Sequence, residues 1–279
     1  MKQNKGLYVV KPLSVLNRLL LALACFSVFL PFLWMIITSL KPDDEVLSMD
    51  WIGSRLAWEN YEKAWNFFPF GTFFMNSLIV STVGTVLVLL TSSLSGYAFS
   101  RLRFRGRDKL FGSYLITLMV PQQVIVVPLF LFMKELGWVN SYWALIIPWA
   151  FTAFGTFLLR QFYLTIPFEV DEAAKIDGCG HFGVYWRILL PLLKPGLATL
   201  AVFTFIGYWN SFLWPLIITN EQGLYTLPLG LQMFHGQYST QWNLLMAAST
   251  LATLPSFIVY LIAQRYIVDG ISTSGLGGR

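Results

Sequence analysis

The sequence predicts an all-α integral membrane protein with six transmembrane helices, both termini in the cytoplasm, and a short cytoplasmic helix between the fourth and fifth spans. Three observations lead there. Hydrophobic residues make up 56% of the 279-residue chain and charged residues 12%, with a mean hydropathy of +0.61. A soluble domain carries about 25% charged residues, so a globule of this composition would expose too much apolar surface to water. The charges are gathered between uncharged runs at 19–40, 64–100, 110–133, 136–159, 195–220 and 222–264. With six crossings, every lysine and arginine except Lys41, Arg55, Lys63 and Lys134 falls on the side of the termini, which the positive-inside rule makes the cytoplasm.

A helix needs about 20 residues to cross about 30 Å of hydrocarbon. A cytoplasmic segment, 1–18, precedes the first span at 19–40. That span is expected to be a retained helix and not a signal peptide, because it ends in MIITSLKPDDE without a small-x-small cleavage site. The second run is too long for one crossing, but WNFFPFGTFF fills the excess and leaves a span at 73–99. SRLRFRGRDK follows; its basic, aromatic-bearing composition is that of a short cytoplasmic loop, and no nucleic acid is implied. Spans at 110–133 and 141–160 come next, then a cytoplasmic loop at 165–195 and a fifth span at 196–219. LYTLPLGLQMFHGQYSTQWN takes up the start of the last run, placing the sixth span at 244–266, so that 19–267 forms the transmembrane domain and 268–279 a cytoplasmic tail.

Several functions are disfavoured. No acidic or basic side chain falls in the middle of a span, whereas proton-driven carriers use intramembrane carboxylates or histidines as relays. G-x-x-x-x-G-K-[ST], H-E-x-x-H and G-x-S-x-G do not occur, and Cys25 and Cys179 have no metal-site spacing. The chain is therefore expected to be no enzyme, to hold no metal or cofactor, and to draw any energy for transport from another polypeptide.

The loop at 165–195 concentrates the remaining chemistry. Pro167 suits a first helical turn, Glu169, Asp171 and Glu172 place negative charge at the positive end of the helix dipole, and Gly178 suits its end. Residues 167–177 thus read as a short helix with Val170, Ala173, Ala174 and Asp177 on one side. Phe182, Tyr185, Trp186 and Leu189 form a second stripe suited to the headgroup layer. A docking peg for a soluble partner and an ordinary interhelical loop both fit this pattern.

Glu172-Ala173-Ala174, Gly178, Ile188 and Leu190-Pro191 together make E-A-A-x3-G-x9-I-x-L-P without a departure. This pattern resembles the signature of inner-membrane permease subunits of ATP-binding-cassette (ABC) importers. AKIDG, GYWNSFLWPLIIT, QRYIVDGISTSGLGG and SGYAFSRLRFRG narrow the resemblance to carbohydrate-uptake permeases of the maltose-transporter type, specifically the smaller six-helix partner. The likeness runs from about residue 19 to the end, and Cys179 stands where the family usually has alanine.

The resemblance implies that the loop helix is a coupling helix seated in a cleft of a cytoplasmic ATPase, carried by Glu172, Ala173, Ala174, Asp177 and Gly178. Glu172 would make a charge-assisted hydrogen bond worth about 1.5–3 kcal/mol. The implied partners are a second homologous permease, two ATPase subunits binding ATP and Mg, and a solute-binding protein meeting 41–72 and 221–243. A sugar, held mainly by the other permease, and membrane lipid complete the set, in a bacterial inner membrane. Asn76, Gln122, Trp209 and Asn210 are candidates for the translocation path, with helix packing as the alternative for an amide at membrane depth. A permease for another solute, such as glycerol phosphate, and a non-transporting ATPase anchor remain the other readings.

Overall fold

The computed structural model describes residues 15–48, 50–236 and 240–274, with side chains from residue 17 to residue 264 of these. Among the described residues every extended element is helical and no strand forms. Helix α1 (Val15–Ser39) leads into a short helix, α2 (Glu59–Phe67), and then into α3 (Phe70–Arg101). α4 (Arg107–Ile116) continues as a 3-10 turn to Met119, and α5 (Gln122–Glu135) follows. α6 (Tyr142–Ile146), extended by a turn to Trp149, precedes α7 (Ala153–Thr165). Then come α8 (Glu169–Ile176), α9 (His181–Leu192), α10 (Lys194–Trp209), α11 (Leu213–Ile218), α12 (Leu227–Leu231) and α13 (Trp242–Ser274).

Three single helices are long and apolar enough to cross a bilayer: Asn17–Ser39, Phe70–Arg101 and Trp242–Gln264. Three further helix pairs are apolar enough only when taken together, and each is bent: Arg107–Met119 with Gln122–Glu135 (100°), Tyr142–Trp149 with Ala153–Thr165 (45°), and His181–Leu192 with Lys194–Trp209 (76°). The helices expected at 110–133, 141–160 and 196–219 are each interrupted in the structure. The first breaks at Pro121, which has no N–H to donate and forces Val120 into an extended conformation. The second breaks before Thr152, also extended. The third is interrupted after Trp209, with Asn210 as the C-cap, and resumes at Leu213; the 76° bend lies earlier, at Leu193, where α9 meets α10. In the segment expected as the cytoplasmic tail, α13 runs on through Ser274, whereas 1–14 and 275–279 lie outside the described residues.

α3 is the central post. None of the apolar window of α1 is buried, against 44% of that of α3. α3 contributes Phe70 and Phe73 to a cluster with Phe205, Trp209, Leu227 and Phe234, Val80 to one with Met133, Leu145 and Trp214, and Val88 and Tyr97 to one with Leu159, Tyr163, Tyr185 and Leu189. Without a hydrophobic driving force between helices in lipid, small residues and buried hydroxyls make such packing possible. At Gly84 an added Cβ would lie 2.5 Å from the ring of Tyr208, and that ring is pinned because its hydroxyl donates to the Ile146 carbonyl at 3.0 Å.

The segment between α1 and α2 is fastened by polar contacts. Asn60 donates to the carbonyls of Ser39 and Lys41 at 2.9 and 2.8 Å, and the fully buried Lys41 ammonium donates to the carbonyls of Ser48 and Asp50. Glu45 accepts from the Ser54 amide at 2.6 Å, and its hydrogen bonds to Ser54 hold its carboxyl below the usual carboxylate range.

Two outcomes follow from this packing. Gly84→Ala should displace Tyr208, release the Ile146 carbonyl and cost about 1–3 kcal/mol, read as a lower unfolding midpoint in detergent; Tyr208→Ala in the same chain should recover part of the loss. Because folding depresses the Glu45 pKa, its contribution is present at neutral pH and is lost as pH falls through the folded value. Protection of the Ser54 amide against exchange, taken relative to the intrinsic rate at each pH, should therefore fall as pH drops below the usual carboxylate range, and Glu45→Gln should lower that protection at neutral pH.

Candidate functional site: the cytoplasmic knob and the cavity at the helix breaks

The knob consists of α8 and α9. Glu169, Asp171 and Glu172 occupy the first turn of α8 and Lys175 its last, complementing the helix dipole at both ends. The helix stops at Gly178, whose φ of +83° is a left-handed conformation open to glycine at little cost. The Cys179 amide donates to the Ala174 carbonyl at 2.9 Å and the Gly178 amide to the Lys175 carbonyl at 3.0 Å, the hydrogen-bond pair of a Schellman motif. α9 is π-helical over Val184–Leu189.

A polar anchor sets the rotation of α8 about its axis. Asp171, 4% exposed, lies 3.3 Å from the guanidinium of Arg101, 8% exposed, at the end of α3. Arg101 also donates to the carbonyls of Tyr163 and Ile166, both at 2.7 Å, and sits over the Phe168 ring at 4.4 Å. With Asp171 inward, Val170 and Ala174 face the chain's own core, while Glu172, Ala173, Ile176, Asp177 and Gly178 face outward, Ile176 at 86% exposure.

This divides the stripe read from the sequence. Ala174 does not share a face with Ala173 and Asp177; its small side chain lets α8 approach the cluster around Tyr163, Val184 and Leu189. The second stripe divides as well: Tyr185 and Leu189 are buried, whereas Phe182 and Trp186 are exposed and stack on each other. Spacing along the sequence assigned Asp171 only to the helix dipole and Arg101 only to a basic loop. One signal for the pair was an aspartate in a helix also carrying the small residues of a packed face.

The second feature is an open cavity of about 740 Å³. It is lined from all three interrupted regions: Thr117, Val120 and Gln122 at the first, Pro148, Trp149, Thr152 and Phe154 at the second, and Gly207, Tyr208, Ser211, Phe212 and Trp214 at the third. Its lining holds no charged side chain. Irregular backbone at membrane depth persists where it is buried in protein or lines a cavity, since lipid cannot satisfy its polar groups. Here the partners are visible: Thr91 donates to the Ala150 carbonyl at 2.6 Å, Tyr208 to that of Ile146 at 3.0 Å, and the Trp214 indole to that of Ala144 at 2.8 Å.

Of the path candidates, Gln122 lies in this lining. Asn210 is exposed at the end of α10, next in the chain to the lining residue Ser211. Trp209 is corrected to a packing role: 2% exposed, it stacks on Phe205 and donates its indole N–H to the Ala252 carbonyl at 2.9 Å. Asn76 is likewise turned to its own chain, donating to the carbonyls of Gly223 and Tyr225 at 2.8 and 2.9 Å and accepting from the Tyr142 hydroxyl at 2.6 Å. Tyr208, Trp149 and Phe212 were missed; the prolines and the Trp-Asn-Ser step that interrupt the apolar runs were the available signal.

The chain is 35% identical over 273 residues to the arabinooligosaccharides transport system permease protein AraQ of Halalkalibacterium halodurans, covering 95% of this chain and 97% of that protein. It is 34% identical over 272 residues to the sn-glycerol-3-phosphate transport system permease protein UgpE of Yersinia pestis, covering 94% and 97%. The fold matches a chain of a crystallised bacterial ABC transporter involved in the import of the acidic polysaccharide alginate, with a TM-score of 0.82 at 22% identity, over 91% of this chain and 95% of that one. A profile of the binding-protein-dependent transport system inner membrane components matches residues 88–273, from the middle of α3 across the knob and the cavity-lining breaks into the last helix. A knob, a post and a set of broken helices in one all-helical membrane chain are thus those of an ABC transporter permease subunit, and the chain belongs to the family of binding-protein-dependent transport system inner membrane components.

Proposed function

We propose that this permease serves an importer of a neutral sugar or oligosaccharide, and that its knob couples the bundle to a separate ATPase. The observation that carries the coupling reading is the division of α8: one face is anchored to Arg101, and Glu172, Ala173, Lys175, Ile176, Asp177 and Gly178 are left outward as a compact charged and apolar surface. On this reading the first two bent pairs are each one crossing and α10 with α11 makes another, giving six spans with α1, α3 and α13, and both termini lie in the cytoplasm with the knob. Residues 1–18 would precede the bundle and the end of the chain would reach the ATPase side. Glu172 would pair with a basic side chain of the ATPase, and Gly178 would keep the turn that ends the peg.

The chain would work beside a second, homologous permease, with two ATPase subunits that bind ATP and Mg and a solute-binding protein docked on 41–72 and 221–243. Closure of the ATPase subunits would draw the knobs together and rock the bundle between inward and outward access. ATP chemistry would stay on those subunits, with no cofactor held here.

The cavity supports the solute class. Aromatic rings with threonine, serine, glutamine and tyrosine suit a neutral polyhydroxylated solute, and the relative AraQ is named for arabinooligosaccharides. The second reading, glycerol phosphate import, has the relative UgpE in its favour; an anion would call for a cation or a cluster of N–H donors, and the lining supplies no cation.

Glu172→Ala and Gly178→Asp should each leave the chain inserted in the membrane yet reduce co-purification of the ATPase or uncouple it; retention of both co-purification and transport in each variant would overturn the docking reading. A panel of neutral oligosaccharides and glycerol 3-phosphate offered to the cognate binding protein should give binding to an oligosaccharide. Binding of glycerol 3-phosphate alone would favour the second reading.

A further inference from the structure

Ser93, Tyr97 and Arg101 recur every four residues near the end of α3 and so stand on one face of it. Each reaches a different part of the knob. Ser93 shares a hydrogen bond of 2.8 Å with the Tyr185 hydroxyl, Tyr97 donates to the His181 carbonyl at 3.0 Å, and Arg101 meets Asp171 at 3.3 Å. Arg101 also holds the end of α7 through the Tyr163 and Ile166 carbonyls, so one guanidinium joins three segments.

The knob's covalent connections are less direct. The chain enters it through a non-helical step at 166–168 and leaves through Leu193, where α9 and α10 meet at 76°. At the other end of α3, Asn76 grips the carbonyls of Gly223 and Tyr225, and Ser77 accepts from the Leu227 amide at 2.7 Å. α3 has 32 residues, a rod of about 48 Å at 1.5 Å per residue.

We infer that Ser93, Tyr97, Arg101 and Asp171 form a clasp that makes the knob and α3 one rigid body, so that knob movement reaches the Gly223–Leu227 segment through α3. The clasp rests on the docking reading above, and its members are positioning residues. A buried ion pair is a weak source of net stability, because desolvation offsets its attraction, but arginine's planar fork fixes orientation among several acceptors. Asp171→Asn keeps the size of the side chain and removes the charge; Arg101→Lys keeps the charge and loses the fork; Tyr97→Phe removes one outer tie.

The test uses the whole complex with its ATPase subunits in lipid nanodiscs, with Cys25 and Cys179 replaced by serine. An environment-sensitive fluorophore is placed on a cysteine at Phe182, exposed on the knob, or at Glu221, near the far end of α3. Native protein should respond to ATP plus vanadate at both positions. Asp171→Asn should keep the ATPase bound and keep the response at 182, while the response at 221 falls roughly fivefold; Arg101→Lys and Tyr97→Phe should fall between. A native-like response at 221 in Asp171→Asn would overturn the clasp. Loss of the ATPase or of the response at 182 in that variant would also overturn it, reducing the pair to a structural support. No response at 182 in the native complex would instead sink the docking reading, which separates the two failures.

Discussion

Backbone amides and carbonyls at membrane depth must find their partners inside the protein, and the architecture follows from that constraint. It makes every described crossing segment helical. It also explains why the interruptions at 120–121, 150–152 and 210–212 converge on one cavity instead of facing lipid. Where the helices stop, tertiary donors take over: Thr91, Tyr208 and Trp214 serve carbonyls of α6 and its continuation. The cavity and its polar supports are one construction, since removing a donor would leave a carbonyl stranded in a medium without water.

α3 connects this region to the rest. Its small residues admit Tyr208 and α7 closely, as at Gly84 and Gly96, and its polar side chains tie its neighbours to it: Asn76 and Ser77 the 223–227 segment, Thr91 the Ala150 carbonyl, Tyr97 and Arg101 the knob. α1 instead presents its apolar surface outward along its apolar window. The difference is one of position, since both helices are apolar enough to span a bilayer.

The knob shows how a buried charge can define a surface. Asp171 and Arg101 contribute little net energy by their mutual attraction, but burying Asp171 turns Glu172, Ala173 and Asp177 away from the bundle. Ala174 then serves inward, where its lack of bulk allows α8 to lie close to Leu189 and Tyr163. Two adjacent alanines that read alike along the chain therefore do different things, one as packing and one as surface.

Composition and the spacing of charges determined the class of the protein, the position of most apolar segments and the presence of a short acidic helix ending at Gly178, because these depend on local preferences and on the cost of placing charge in hydrocarbon. The motif spanning Glu172 to Pro191 also made the family legible. Only the tertiary structure decided that Asn76 and Trp209 spend their polar groups on their own chain, that three apolar runs are interrupted at a shared cavity, and that Arg101 belongs to Asp171. The reason is physical: hydropathy records whether a side chain tolerates lipid, but the direction it faces is set by distant partners, 149 residues apart for Asn76 and Tyr225, and no local pattern encodes them.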